Sequence, residues 1–243
     1  MEVLSIQDLG KTWPGGVRAL NSISFEAVPG SLTAVIGPSG SGKSTLLRVI
    51  AGLDSPNRGA IVNPFGPAGL CFSEPSLWPH LTLLENVRLP LMVVRGFTSA
   101  KADERSRQIL QDWGLDQRLT AYPAELSLGQ QQRGALARTA VMDPKVVCLD
   151  EITSSLDPEL AASIIESLVE WKRTGAIIIA ATHQRELLQA AADYIVFLEH
   201  GNVVQQGTAN QVLNSDHERT RAFLDATPQK RMALKEPAAG RKE

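Results

Sequence analysis

The residues best suited to chemistry lie in two short runs. The first is Gly37-Pro38-Ser39-Gly40-Ser41-Gly42-Lys43-Ser44-Thr45, which matches G-x-x-x-x-G-K-[ST]. It sits between an apolar strand pattern, Leu32–Ile36, and a helical pattern at 46–51. Glycines let such a loop turn its N–H groups inward onto phosphate oxygens, and the helix that follows adds partial positive charge at its N-terminus. Lys43 would meet the β- and γ-phosphates, and Ser44 would bind Mg2+. A plain Gly-Ser turn would not need strand, Lys-Ser pair and helix together. The second run is Val146-Val147-Cys148-Leu149-Asp150-Glu151, an apolar strand ending in two carboxylates. A strand buried on both faces presents its acids only at its C-terminal edge, beside the phosphate loop. Asp150 would hold Mg2+ through water, and Glu151 would orient or deprotonate an attacking water. Acids are common where strands stop, so this run gains its meaning from the phosphate loop upstream.

These runs need a scaffold. Short β-branched stretches recur at Leu32–Ile36, 70–72, 146–149, Ile177–Ala181 and 195–198, with helical spacing between several of them. Alternating buried strand and helix predicts an α/β domain with a mainly parallel sheet covered on both faces. The stretches at 3–6 and 23–25 instead alternate apolar and polar around a Gly15-Gly16 turn, which predicts a small antiparallel β region before the parallel core. From residue 76 the strand rhythm stops. Residues 99–114 read as a helix with Ser99 as cap and Gly114 as stop, and 121–126 read as a loop. We expect a helical subdomain over about 76–142, inserted in one domain spanning 1–227. Residues 228–243 turn polar and basic and read as a flexible tail, a membrane-surface contact being the alternative.

Composition narrows the function classes. The 243 residues carry a formal net charge of −2, which argues against a nucleic-acid partner. Cys71 and Cys148 each fall in an apolar strand pattern and read as core residues in a reducing compartment rather than a disulfide framework. No apolar run approaches the ~18 residues of a membrane span, and the first ten residues lack the layout of a signal peptide. The expectation is a soluble chain held at a membrane, if at all, by something else.

A third run names a family. Glu125-Leu126-Ser127-Leu128-Gly129-Gln130-Gln131-Gln132-Arg133 resembles the L-S-G-G-Q signature of ABC ATPases. It is followed by Ala135-Leu136-Ala137-Arg138 and by Asp150-Glu151-Ile152-Thr153-Ser154-Ser155-Leu156-Asp157. On spacing alone, Ser127 and Gln130 would form a capping box opening an ordinary helix, and the two readings can coexist. The resemblance runs over residues 1 to 225 and implies a P-loop NTPase core that works as a head-to-tail dimer with two ATP molecules sandwiched between copies. It implies that Ser127 and the Gly129 N–H touch the γ-phosphate bound to the partner copy, with Gln130 beside them. It also implies that Asp157 lies at the dimer seam, that His183 contacts the γ-phosphate and the water, and that Trp13 stacks on adenine. An isolated Trp would otherwise be read as packing. Phe72-Ser73-Glu74-Pro75, together with Leu81-Thr82-Leu83-Leu84-Glu85-Asn86-Val87, resembles the family's Q-loop region, which links the ATP site to the helical subdomain where a permease helix docks.

Three positions depart from the family pattern. Ser73 stands where the Q-loop has glutamine, and its shorter side chain would reach Mg2+ only through a water. Leu128 replaces the first signature glycine. Ile152 stands at a position usually held by proline, and no functional expectation attaches to it. With Glu151, Lys43, Asp150 and His183 all present, hydrolysis is expected to survive.

The stretch from the signature onward resembles ATPases of polar amino-acid importers, on Tyr122-Pro123-Ala124-Glu125-Leu126-Ser127, Gln130-Gln131-Gln132-Arg133, Leu156-Asp157-Pro158-Glu159-Leu160 and His217-Glu218-Arg219-Thr220-Arg221-Ala222-Phe223-Leu224. The last of these would also suit any surface helix with one apolar face. The expectation is therefore an ATPase subunit with ATP and Mg2+ as cofactors. Its expected partners are a second copy or close paralogue, integral-membrane permease subunits and a solute-binding protein, at the cytoplasmic face of the inner membrane. The alternatives are the ATPase of an efflux or lipoprotein-release system, and a slow nucleotide-gated regulator. A soluble P-loop kinase would need an acceptor site and leaves the signature unexplained.

Overall fold

The structure is a computed structural model that describes residues 2–154 and 156–226. The stretch read from sequence as a polar tail, 228–243, lies outside them. In chain order the elements are β1 (Leu4–Thr12), β2 (Arg18–Ala27), β3 (Leu32–Ile36), α1 (Lys43–Ile50), β4 (Arg58–Val62), β5 (Gly69–Cys71), α2 (Leu83–Val93), α3 (Ser99–Asp112), α4 (Leu128–Ala140) and β6 (Val146–Asp150). There follow α5 (Pro158–Arg173), β7 (Ile177–Ala181), α6 (Arg185–Ala190), β8 (Tyr194–Glu199), β9 (Asn202–Thr208), α7 (Ala209–Leu213) and α8 (Glu218–Asp225).

Among the described residues the strands form two sheets. One runs β2-β1-β4 and is antiparallel throughout. The other runs β5-β6-β7-β3-β8-β9, parallel except for β9, which pairs antiparallel to β8. Side chains alternate across a strand, so each central strand feeds two cores. Val147 and Leu149 of β6, Ile178 and Ala180 of β7 and Ala34 and Ile36 of β3 join one core with Leu136, Leu83 and Ile164 of the helices. Val146, Cys148, Ile177, Ile179 and Val35 point the other way. They meet Leu46, Leu47, Val49 and Ile50 of α1, together with Leu4, Ile6, Leu20 and Ile23 of the antiparallel sheet. Helix α1 is thus clamped between the two sheets, and its N-terminus is fixed on both sides.

Several elements differ from the sequence reading. Strand β1 extends to Thr12 and β2 begins at Arg18, so the hairpin is longer than the patterns at 3–6 and 23–25 suggest. Helix α1 begins at Lys43 rather than at 46. Helix α3 is capped by Thr98, whose hydroxyl accepts from the Lys101 N–H at 3.4 Å, and Ser99 is already inside the helix. Strand β5 stops at Cys71 and leaves Phe72 39% exposed. The stretch at 121–126 contains a short 3-10 turn, Pro123–Glu125. Two strands, β4 and β9, had no counterpart among the sequence patterns. Both are edge strands; β4 is largely exposed with only Ile61 partly buried, and β9 has three half-buried residues in a row, Val203, Val204 and Gln205, so neither carries a strong apolar period.

Candidate functional site

Between Ile36 and Lys43 the chain wraps the N-terminus of α1. Two glycines are obligatory there. A Cβ on Gly37 (φ 150) would lie 2.1 Å from the Leu198 carbonyl oxygen and 2.7 Å from Ser41 Oγ. A Cβ on Gly42 (φ 104), which caps α1 in a left-handed conformation, would lie 2.4 Å from the Ala19 carbonyl oxygen. Lys43 folds back over this loop. Its Nζ donates to the carbonyl oxygens of Gly37 at 2.9 Å and Pro38 at 3.1 Å, and lies 3.6 Å from Glu151 Oε1. The side chain is 7% exposed, and burial holds the ammonium below its ordinary pKa while Glu151 and Asp150 oppose that shift.

The two carboxylates differ in environment. Burial pushes Asp150 up, and its hydrogen bond with Ser44 pulls the other way. Glu151 is held below the usual carboxylate range, chiefly by a hydrogen bond with His183 and then by Lys43. His183 Nδ1 lies 3.7 Å from Glu151 Oε2, so Glu151 stands between a lysine and a histidine. Its backbone is left-handed, with φ 50, and its N–H donates to the Ala181 carbonyl oxygen at 3.0 Å. The turn off β6 is therefore locked against β7, and it aims the side chain back toward the phosphate loop.

A cavity of about 420 Å3 gathers Trp13, Ser39, Gly40, Gly42, Lys43, Ser44 and Thr45 with Ser73, Asp150 and Glu151. Trp13 is half-buried, with Lys11 Nζ 4.7 Å from its ring centroid. Gly37, Pro38 and Ser41 stand behind this lining, and the Ser41 hydroxyl is buried without a hydrogen-bond partner. His183 is outside the lining and meets Glu151, which is part of it.

The signature residues lie elsewhere. Ser127, Gly129, Gln130 and Asp157 do not line the cavity. Ser127 Oγ accepts from the Gln130 N–H at 3.3 Å, and Gln130 Oε1 accepts from the Ser127 N–H at 3.0 Å, which is the reciprocal box expected from spacing. That leaves the N–H groups of Leu128 and Gly129 in the first turn of α4 without intrahelical acceptors. The Leu128 side chain is 43% exposed. Gly129 is buried, and a Cβ there would lie 2.8 Å from Leu160 Cδ1, so a side chain at this position would have to displace the tip of Leu160 on α5. Asp157 caps α5 by accepting from the Leu160 N–H at 2.9 Å.

Three residues to which the sequence reading gave no role of their own brace these loops. Asn86, fully buried, accepts from the Trp78 N–H at 2.8 Å and donates to the carbonyl oxygens of Trp78, Leu81 and Thr82. Gln132 Nε2 donates to the Phe72 carbonyl oxygen at 3.3 Å and ties α4 to the segment carrying Ser73. Gln184 Nε2 donates to the Thr153 carbonyl oxygen at 2.7 Å and links the loop after His183 to the turn before Asp157. Each is an ordinary polar residue in a helix or loop, and its role depends on a partner distant in sequence.

The family model described as ABC transporter matches residues 20–154. The chain belongs to the ABC transporter family. It is an ATP-binding and ATP-hydrolysing subunit of such a transporter. This ABC subunit is 34% identical over 246 residues to the L-cystine transport system ATP-binding protein TcyN of Escherichia coli strain K12, covering 93% of this chain and 98% of the relative. It is 35% identical over 239 residues to the glutamine transport ATP-binding protein GlnQ of Bacillus subtilis strain 168, covering 91% and 98%. Among solved structures it is similar to the dimeric post-hydrolysis state of the ATP-binding cassette MJ0796 bound to ADP and Pi, with TM-score 0.77 and 28% identity over 85% of this chain and 98% of that one. No helix among the described residues of the ABC subunit is long and apolar enough to cross a membrane.

Proposed function

We propose that the chain works as a homodimer in which each ATP is gripped by Lys43 and its loop in one copy and by Ser127 and Gly129 in the other, and that this closure drives a separate permease. The carrying observation is the separation of the two sets. The signature residues lie outside the cavity that gathers Lys43, so a nucleotide touched by both needs a second copy. The dimeric MJ0796 cassette is similar in fold. The free N–H groups at the start of α4 supply a phosphate-binding helix end on the surface that would meet the partner.

Within one copy, the geometry supports the following roles. The loop N–H groups and Lys43 would hold the phosphates, Trp13 would face the base, and Lys43 would neutralise charge developing on the γ-phosphate. Glu151, ionised at neutral pH, would take the proton of the attacking water, with His183 holding its far oxygen. The donors near the phosphate loop suit Mg2+. Ser44 and Asp150 offer hard oxygen ligands, and a Mg2+ site of this kind needs only one or two protein oxygens beside phosphates and waters. The buried, partnerless Ser41 hydroxyl behind the same loop fits a phosphate-bearing guest. When bound, Mg2+ would polarise the phosphate oxygens. Ser73 lines the same cavity, and its reach suits a water-mediated contact at most.

We further propose amino-acid uptake at the inner membrane, with a permease and a solute-binding protein as partners. Relatives named for cystine and glutamine transport support this reading. The experiment is ATP-driven dimerisation of Glu151→Gln, measured by light scattering with and without Leu128→Gly. We expect a dimer that forms only with ATP and tightens when Leu128 is trimmed. A monomer in both backgrounds at saturating ATP overturns the shared-nucleotide reading.

A further inference from the structure

A second cavity, of about 340 Å3, opens between α5 and α6. Its wall is apolar, formed by Leu156, Pro158, Ala161 and Ile165, and Glu166 and Glu186 add two carboxylates to the lining. Gln184 lines it too, and its side-chain oxygen is buried without a hydrogen-bond partner while its nitrogen holds Thr153. The site therefore suits a guest with an apolar body and cationic donors.

The chain itself carries such a guest. Helix α8 is seated by Phe223 stacking on Phe197 at 5.0 Å, and Asp225 at its end lies 4.0 Å from Arg185, the first residue of α6. The polypeptide thus leaves the described part of the structure beside the element that forms one wall of the cavity. The segment that follows interleaves cations with apolar residues: Lys230, Arg231, Met232, Leu234 and Lys235. Its tether keeps it at a local concentration of roughly millimolar order. We propose that residues 227–243 dock in the α5–α6 cavity, Met232 and Leu234 against the apolar wall and the cations on Glu166 and Glu186. Docked there, the segment restrains Gln184 and with it the Thr153 turn and the loop after His183. The consequence for ATP turnover rests on the proposed function, whereas the docking does not.

The test is intramolecular disulfide formation in the full chain. Met232→Cys is paired with Ala162→Cys, an exposed position in the cavity lining, or with Val62→Cys, an exposed position on β4 in the other sheet. Cys71 and Cys148 are buried and do not compete. Each rate is normalised to the reactivity of the same single cysteine with a small disulfide. We expect the Ala162 pair to close about tenfold faster than the Val62 pair, through its higher effective concentration. That advantage should shrink with added salt and vanish in Glu166→Lys/Glu186→Lys. Equal normalised rates overturn the docking, and so does a crosslink that forms only between copies.

Discussion

Glu151 Oε1 lies 3.6 Å from the Lys43 ammonium, a contact between the residue that follows the apolar strand β6 and the first residue of α1. The pair joins the cation proposed to hold phosphate to the carboxylate proposed to deprotonate the attacking water. With His183 on its other oxygen, Glu151 is kept ionised and fixed in direction from two sides.

If Glu151 is the base, Glu151→Gln should cut single-turnover ATP hydrolysis by about 10²–10⁴-fold. Nucleotide affinity, read by equilibrium dialysis, should remain within a few-fold of wild type, because the phosphate loop and Lys43 are untouched. A parallel loss of binding and hydrolysis would move the base elsewhere.

The same residue stores backbone strain. Its φ of 50 is maintained by the bond from its N–H to Ala181 and by the Ser154 N–H and hydroxyl on its carbonyl oxygen. A left-handed L-residue costs about 1–2 kcal/mol. Glu151→Gly should therefore be more stable than Glu151→Ala by about 1 kcal/mol in chemical denaturation, although both are inactive. Equal stabilities would show that the turn relaxes without a side chain.

Arg219 of α8 grips Glu199 at the end of β8, its Nε 2.9 Å from each carboxylate oxygen and its Nη2 on Oε1. That hydrogen bonding holds the Glu199 carboxyl below its ordinary value. The unfolded state then binds the proton more readily, so the stabilisation is full above the ordinary glutamate value of 4.5 and is lost as pH falls through the lowered folded value. Arg219→Ala should cost about 1 kcal/mol at neutral pH. The gap from wild type, followed by urea titration, should stay level from neutral pH down to mildly acidic conditions and close only at lower pH.

Cys71 and Cys148 should be silent toward thiol reagents until the fold opens. Burial raises the Cys71 thiol to about 11 and lifts Cys148 further still. Neither should react with an aromatic disulfide in buffer, and both should react in denaturant. Rapid reaction of one cysteine in native protein would mean that its strand opens locally.

Local chemistry made much of this protein legible. The phosphate loop, the Asp150-Glu151 strand end, the Ser127–Gln130 box and the apolar strands each announce themselves within a dozen residues, because a tight turn, a cap or a two-face-buried strand restricts residue types at close spacing. What needed tertiary structure was everything set by partners far apart in the chain. Strand β4 buries too little to leave a period, and β9 half-buries consecutive rather than alternate residues. The cap of α3 passed from Ser99 to Thr98 because backbone geometry, not residue type, chose between two adjacent hydroxyls. Asn86, Gln132 and Gln184 acquire their roles only from carbonyls that folding brings to them. The placing of Ser127 and Asp157 away from the cavity that holds Lys43 was likewise decided by sheet order and helix packing, which no sequence window contains.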